Sequence, residues 1–188
     1  MPETEVLKIQ IGPNTDWIGG HWIIPERVGG YHGLLKQWFD HFGLEGKGLV
    51  IGEPGSGGEA VKQGFKDEYG VEAYSVDMAE DPFVDIVWDI TKPLETEEKY
   101  GWIVCQAVLE HVTDPVASVK NMSALLQPGG RLYIHVPGPD FPYHAYPVDC
   151  YRFFRDALVA WAEIADLEID DLLCTPEFRH YFVVYRRR

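Results

Sequence analysis

Gly48-Leu-Val-Ile-Gly52-Glu-Pro-Gly55-Ser-Gly57-Gly58 runs from a short apolar segment into a cluster of glycines, and a polar helical stretch follows over about residues 58–69. The unit reads as strand, turn and helix. Glycines in such a turn let the backbone approach a ligand closely, and the helix N-terminus behind them offers unpaired N–H groups to anionic groups. The loop alone does not select a ligand. Gly55-x-Gly57-x-x-Ala60 also fits the relaxed dinucleotide fingerprint, and a plain strand-to-helix turn can carry the same glycines. Asp77 adds weight, because it ends a second strand about 20 residues past the glycines, where a ribose-binding carboxylate belongs.

Upstream, Leu34, Leu35, Trp38, Phe39 and Phe42 fall on one face of a helix over about 31–43, with Gly43 as its C-cap. Residues 1–30 are interrupted by Gly12-Pro13, Gly19-Gly20, Pro25 and Gly29-Gly30 and read as an irregular arm or cap. Downstream, strands are predicted at about 71–76, 83–88, 102–105 and 131–136. A helix over about 114–126 opens on Asp114-Pro115, an N-cap and N1 pair, and Gln127-Pro-Gly-Gly130 predicts a tight turn. A helix near 155–165 precedes two strands, 167–174 and 180–187, expected to pair as an antiparallel hairpin. Strands alternating with helices imply parallel pairing through right-handed crossovers. The predicted fold class is therefore α/β: a doubly wound sheet of about seven strands, mostly parallel, in a single domain over 31–188. Ligands of such sheets lie outside the carboxyl ends of the strands, so the loops after the first four strands should converge.

The chain has 188 residues with 30 acidic and 16 basic side chains, a formal charge of −14; 46% of residues are apolar, enough for one packed core. That acidic balance excludes tight, sequence-independent binding to nucleic acid or anionic lipid. Three scattered cysteines, no signal-like N-terminus and no membrane-length apolar run point to a cytoplasmic protein. No zinc-type Cys/His spacing is present, and no metal is expected. Oligomeric state is not legible.

Four segments, in order, resemble the class I S-adenosylmethionine-dependent methyltransferases: Gly52–Gly58, Asp77, Asp85-Ile-Val-Trp-Asp89-Ile90, and Gly101-Trp-Ile-Val-Cys-Gln106-Ala107-Val-Leu-Glu110-His111-Val112. Leu126–Pro137 is similar to the turn and fifth strand of that family. The resemblance implies a Rossmann-like fold and S-adenosyl-L-methionine as cofactor. It places Gly55 and Gly57 at the amino-acid end of the cofactor, Asp77 at the ribose, Asp89 and the Ile90 backbone at the adenine, and Gln106 and Ala107 beside the methionyl portion. Glu110-His111 looks like the family's frequent Glu-His pair, which shapes a helix entry rather than performing chemistry. One departure stands out. The acidic residue usual before the glycines is replaced by Val50 or Ile51, and Glu53, in a position often held by glycine, is the candidate substitute.

The same resemblance puts acceptor contacts in the N-terminal segment and after the fifth strand. Residues 138–155 are long, proline-rich and aromatic, too long for a simple connection. Pro147-Val-Asp149-Cys-Tyr-Arg152-Phe resembles an element of methyltransferases associated with glycan or natural-product pathways, which implies a small-molecule acceptor, a hydroxyl of a sugar or natural product. His144 is the candidate catalytic base, since imidazole titrates near neutrality; His21 and His32 compete from the N-terminal arm. Tyr143, Tyr146, Asp149 and Arg152 are candidate acceptor-binding residues, and a loop-bracing pair is the alternative for the last two. Two other readings remain at this stage: a catalytically degenerate binding module, motivated by the missing acid, and a nicotinamide-dependent oxidoreductase, opposed by the absence of any Tyr-x-x-x-Lys pair.

Overall fold

The structure, a computed structural model, describes residues 16–18, 21–23, 30–53, 55–145, 148–175 and 179–188. Its strands are β1 (Asp16–Ile18), β2 (His21–Ile23), β3 (Lys47–Ile51), β4 (Glu72–Asp77), β5 (Ile86–Val87), β6 (Tyr100–Gln106), β7 (Leu126–Pro137), β8 (Leu167–Cys174) and β9 (His180–Arg187). Its helices are α1 (Gly30–Phe42), α2 (Ser56–Tyr69), α3 (Pro115–Leu125) and α4 (Arg155–Ile164). One sheet holds all nine strands in the order β1-β2-β8-β9-β7-β6-β3-β4-β5. The run from β3 to β7 is parallel, and β8 and β9 form the expected antiparallel hairpin, with β9 also antiparallel to β7. The seven strands β3–β9 are those predicted. Among the described residues no helix is long and apolar enough to cross a membrane.

Both faces of the sheet are covered, which is why its strands read as nearly continuous apolar runs. Successive residues point to opposite faces: Ile103 and Cys105 of β6 enter the core that includes α3 and α4, while Trp102 and Val104 enter the one that includes α1 and α2. The predicted face of α1 is buried at Leu34, Leu35, Trp38 and Phe39. Gly43, at φ 73, donates its N–H to the Phe39 carbonyl at 2.9 Å and ends the helix as expected. Asp114 caps α3, its carboxylate accepting from the Ala117 N–H at 2.9 Å.

Three local expectations are corrected. Residues 16–18 and 21–23 are not irregular: β1 and β2 pair antiparallel, and β2 extends the sheet beside β8. Strands of three residues are too short to show a period, so the sequence hid them. β5 is two residues long rather than six, because the Asp85 carboxylate accepts the Ser75 N–H at 2.8 Å, replacing a ladder bond by a side-chain one. Gln127–Gly130 is not a separate turn. It lies within β7, with Gly129 at φ 79 and a register shift opposite Tyr100 and Trp102.

Candidate active site

The strand order reverses between β3 and β6, and the loops leaving their carboxyl ends meet there. Gly52 follows β3 at φ 81, and a Cβ on it would lie 2.4 Å from Val108 Cγ2 in the loop after β6. Only glycine fits both that backbone and that contact. Gly58 is required for a different reason: its Cβ would stand 2.4 Å from the Glu53 carbonyl oxygen. Gly55 is the converse, at φ 69 with nothing among the described residues within 4 Å of where a Cβ would be, so its backbone stands open. The Glu53 carboxylate lies over this loop, its Oε2 3.7 Å from the position a Gly57 Cβ would take. Val50 and Ile51 are core residues.

Asp77 ends β4 as predicted, and its Oδ1 accepts from the Ala79 N–H at 2.8 Å. Asp89 lies past β5. Its carboxylate is pushed down to about 2 by the Lys92 ammonium at 2.8 Å and by Thr91, whose hydroxyl donates at 2.6 Å. Ile90 is buried, with its carbonyl accepting from Asn121 Nδ2 at 2.9 Å. Gln106 ends β6, and Ala107 then enters the left-handed region at φ 52 while donating its N–H to the His135 carbonyl at 3.0 Å. A non-glycine residue held there costs energy that the surrounding structure must supply, and such positions concentrate at functional sites.

The segment between β7 and α4 folds back onto the loop after β6. The Glu110 carbonyl accepts from the N–H groups of Cys150 and Tyr151, at 2.7 and 3.3 Å. Arg152 braces the segment: its guanidinium donates to both oxygens of Asp149 at 2.5 and 2.6 Å, and to the carbonyls of Phe141, Pro142 and Tyr151. These bonds engage all five N–H groups of Arg152. The guanidinium holds the Asp149 carboxyl well below the usual carboxylate range. Asp149 in turn accepts the His144 backbone N–H at 2.7 Å and lies 3.6 Å from His144 Nδ1. His144 Nε2 then faces Glu110 Oε1 at 3.7 Å. Tyr143 is exposed, and Tyr146 lies outside the described residues, as do the side chains of His21 and His32.

Two features of this region were not legible. Glu110 is 1% exposed, and burial pushes its carboxyl up; the Glu-His motif alone implies a helix entry, whereas the fold brings Glu110 to His144. His135 and His180 meet across β7 and β9, with Nε2 of the first 2.9 Å from Nδ1 of the second. Burial pushes His180 down to about 4, and the Phe141 ring of the segment after β7 packs on it at 4.8 Å. No spacing signal links residues 45 apart; only the β7–β9 register joins them.

Residues 28–172 match the family described as "Methyltransferase domain". The chain belongs to that family. Among curated proteins it is similar to a ubiquinone biosynthesis O-methyltransferase of Coxiella burnetii, 26% identical over an alignment, gaps included, of 169 residues that covers 73% of this chain and 70% of that one. A protein of the same name from Stutzerimonas stutzeri is 23% identical over an alignment of 183 residues that covers 79% of this chain and 78% of its own. Among solved structures the fold matches Burkholderia thailandensis 1,6-didemethyltoxoflavin-N1-methyltransferase, which has 1,6-didemethyltoxoflavin and S-adenosylhomocysteine bound. The TM-score is 0.62 at 18% identity, covering 93% of this chain and 99% of that one.

Proposed function

We propose that the chain transfers a methyl group from S-adenosyl-L-methionine to a hydroxyl of a small-molecule acceptor, a sugar or natural product. One observation carries the reading: the glycine loop, Asp77 and the strained Ala107 leave the carboxyl ends of adjacent strands at the point where the strand order reverses. The open backbone at Gly55 is a cradle that any side chain would fill. Gly55, Gly57 and Glu53 would hold the amino-acid end of the cofactor, Glu53 standing in for the acid missing from β3. Asp77 would hold the ribose, Asp89 and Ile90 the adenine edge, and Gln106 and Ala107 the methionyl portion. The name shared by the curated relatives favours oxygen as the acceptor atom.

The cofactor supplies a methyl group already activated on a sulfonium, so the protein must align the acceptor, exclude water and remove a proton. The His144 imidazole takes the acceptor's hydroxyl proton, with Asp149 and Arg152 beside Nδ1 setting its position and Glu110 facing Nε2. Calorimetric titration with S-adenosylhomocysteine, joined to radiolabelled methyl transfer onto phenols, catechols and sugars, tests the reading. Binding of the product together with labelling of a hydroxyl supports it; no binding leaves the degenerate module, which the buried Val50 and Ile51 favour. His144→Ala is expected to lower turnover by about 100-fold or more with cofactor affinity unchanged. Equal turnover would mean that His144 is not the base.

A further inference from the structure

Glu110, His111 and His144 each offer one ligand atom, and these three atoms lie within 4.8 Å of one another. Both imidazoles turn Nε2 toward the same oxygen, Glu110 Oε1, at 3.8 Å from His111 and 3.7 Å from His144. Ligand atoms around a tetrahedral zinc with bonds of about 2.1 Å stand about 3.4 Å apart. Two of the separations, 3.8 and 3.7 Å to Glu110 Oε1, lie within a few tenths of an ångström of that spacing, and the third, at up to 4.8 Å, would close as the imidazoles turn onto an ion.

The nitrogens behind the ligand atoms are also placed for metal binding. His111 Nδ1 is hydrogen-bonded to the Val148 carbonyl, which makes Nδ1 the protonated nitrogen and leaves the Nε2 lone pair free. His144 Nδ1 lies between the Asp149 carboxylate, 3.6 Å away, and Arg152 Nη2, 3.4 Å away, and this pair sets the position of its ring. A ligating histidine ordinarily has a carbonyl or carboxylate hydrogen-bonded behind it, as His111 has, fixing tautomer and ring orientation. Glu110 gives an independent sign of a missing partner. Its side chain is buried, and among the described residues its other oxygen, Oε2, has no hydrogen-bond partner, so the carboxylate is short of partners on the side away from the imidazoles. A buried carboxylate without a full set of partners is costly unless a cation or donor completes it.

We propose that Glu110, His111 and His144 form a divalent transition-metal site of the zinc type, with three protein ligands and a fourth position open. Two imidazoles and a single carboxylate suit zinc or a neighbouring first-row ion, whereas magnesium and calcium prefer oxygen donors. Glu110 forms the buried floor, and the imidazoles, 16% and 36% exposed, form the rim that leaves the fourth position accessible. The proposal rests on the preceding one's assignment of the segment after β7 to the acceptor and replaces its account of how the hydroxyl proton leaves. An acceptor hydroxyl in the open position would lose its proton to solvent more readily, and His144 would then serve as ligand instead of base.

The test uses the full chain, stripped with a chelator and titrated with ZnCl2 by calorimetry and with CoCl2 by visible absorption. One equivalent per chain is expected, with the intense absorption of low-coordinate cobalt. Glu110→Gln, close in shape and so suited to folding, and His144→Ala should each abolish that signal, and Asp149→Asn should weaken binding by about 10–100-fold. Absence of stoichiometric binding, or binding unchanged in Glu110→Gln and in His144→Ala, overturns the site. Methyl transfer at full rate in excess chelator also overturns it while leaving the methyltransferase reading intact. Zinc binding without any binding of S-adenosylhomocysteine would do the reverse.

Discussion

Asp77 shows what one residue contributes at the edge of a parallel sheet. Its position at the end of β4 follows from the strand's alternation, and its Oδ1 takes the Ala79 N–H to close the turn behind it. The carboxylate keeps further acceptor sites for a ligand. Asp77→Ala is expected to weaken S-adenosylhomocysteine by about 1–3 kcal/mol, the scale of a lost hydrogen bond to a charged group, in calorimetric titration. Equal affinity would remove Asp77 from the site. The glycines divide in a way their spacing does not reveal. Gly52 and Gly58 are demanded by neighbours, Val108 and the Glu53 carbonyl, whereas Gly55 has nothing described within 4 Å of a Cβ and Gly57 only the Glu53 carboxylate at 3.7 Å. Glu110 and His111 were visible as a motif. Their relation to His144, 34 and 33 positions further on, was not, because the contact forms only when two loops close on each other.

The segment between β7 and α4 behaves as an element although its described residues form no helix or strand. Arg152 replaces the missing ladder bonds with five donors directed to Asp149, Phe141, Pro142 and Tyr151, and Glu110 takes two of its backbone N–H groups. A lysine keeps the charge but cannot reproduce the planar fork. Arg152→Lys is therefore expected to lower turnover by about 10–100-fold through misplacement of His144, with cofactor affinity unchanged. Steady-state kinetics beside product titration would check this, and an unaltered turnover would show that the brace does not position His144. The length and aromatic content of this segment marked it in the sequence as more than a connection. Its internal bonding was not readable there, since a guanidinium can serve a ligand or its own backbone equally well.

Across the whole molecule, α1 is fastened to the far side of the sheet by Trp38, whose indole N–H donates to Asp171 on β8 at 2.7 Å. Burial pushes the Asp171 carboxyl up to about 6, against the Trp38 and Leu172 donors. The native state therefore holds a proton that the unfolded chain releases near pH 4. This group's contribution to stability is fully present below about pH 4 and falls as pH rises to about 6. Asp171→Asn keeps an acceptor for Trp38 and removes the titration. Urea denaturation at pH 4 and pH 7 should show the variant gaining about 1–3 kcal/mol relative to the parent at the higher pH. A difference independent of pH would contradict the assignment. The sequence by itself determined the seven-strand core, the antiparallel end, the helix caps at Gly43 and Asp114, and the glycine-rich turn between β3 and α2, because those follow from local periodicity and turn chemistry. Tertiary structure alone decided the β1–β2 extension beside β8, the shortening of β5, the Arg152 brace and the meeting of Glu110, His111 and His144. Each of these depends on groups distant in sequence or on strands too short to show a period, and such contacts exist only once the sheet has closed on its helices.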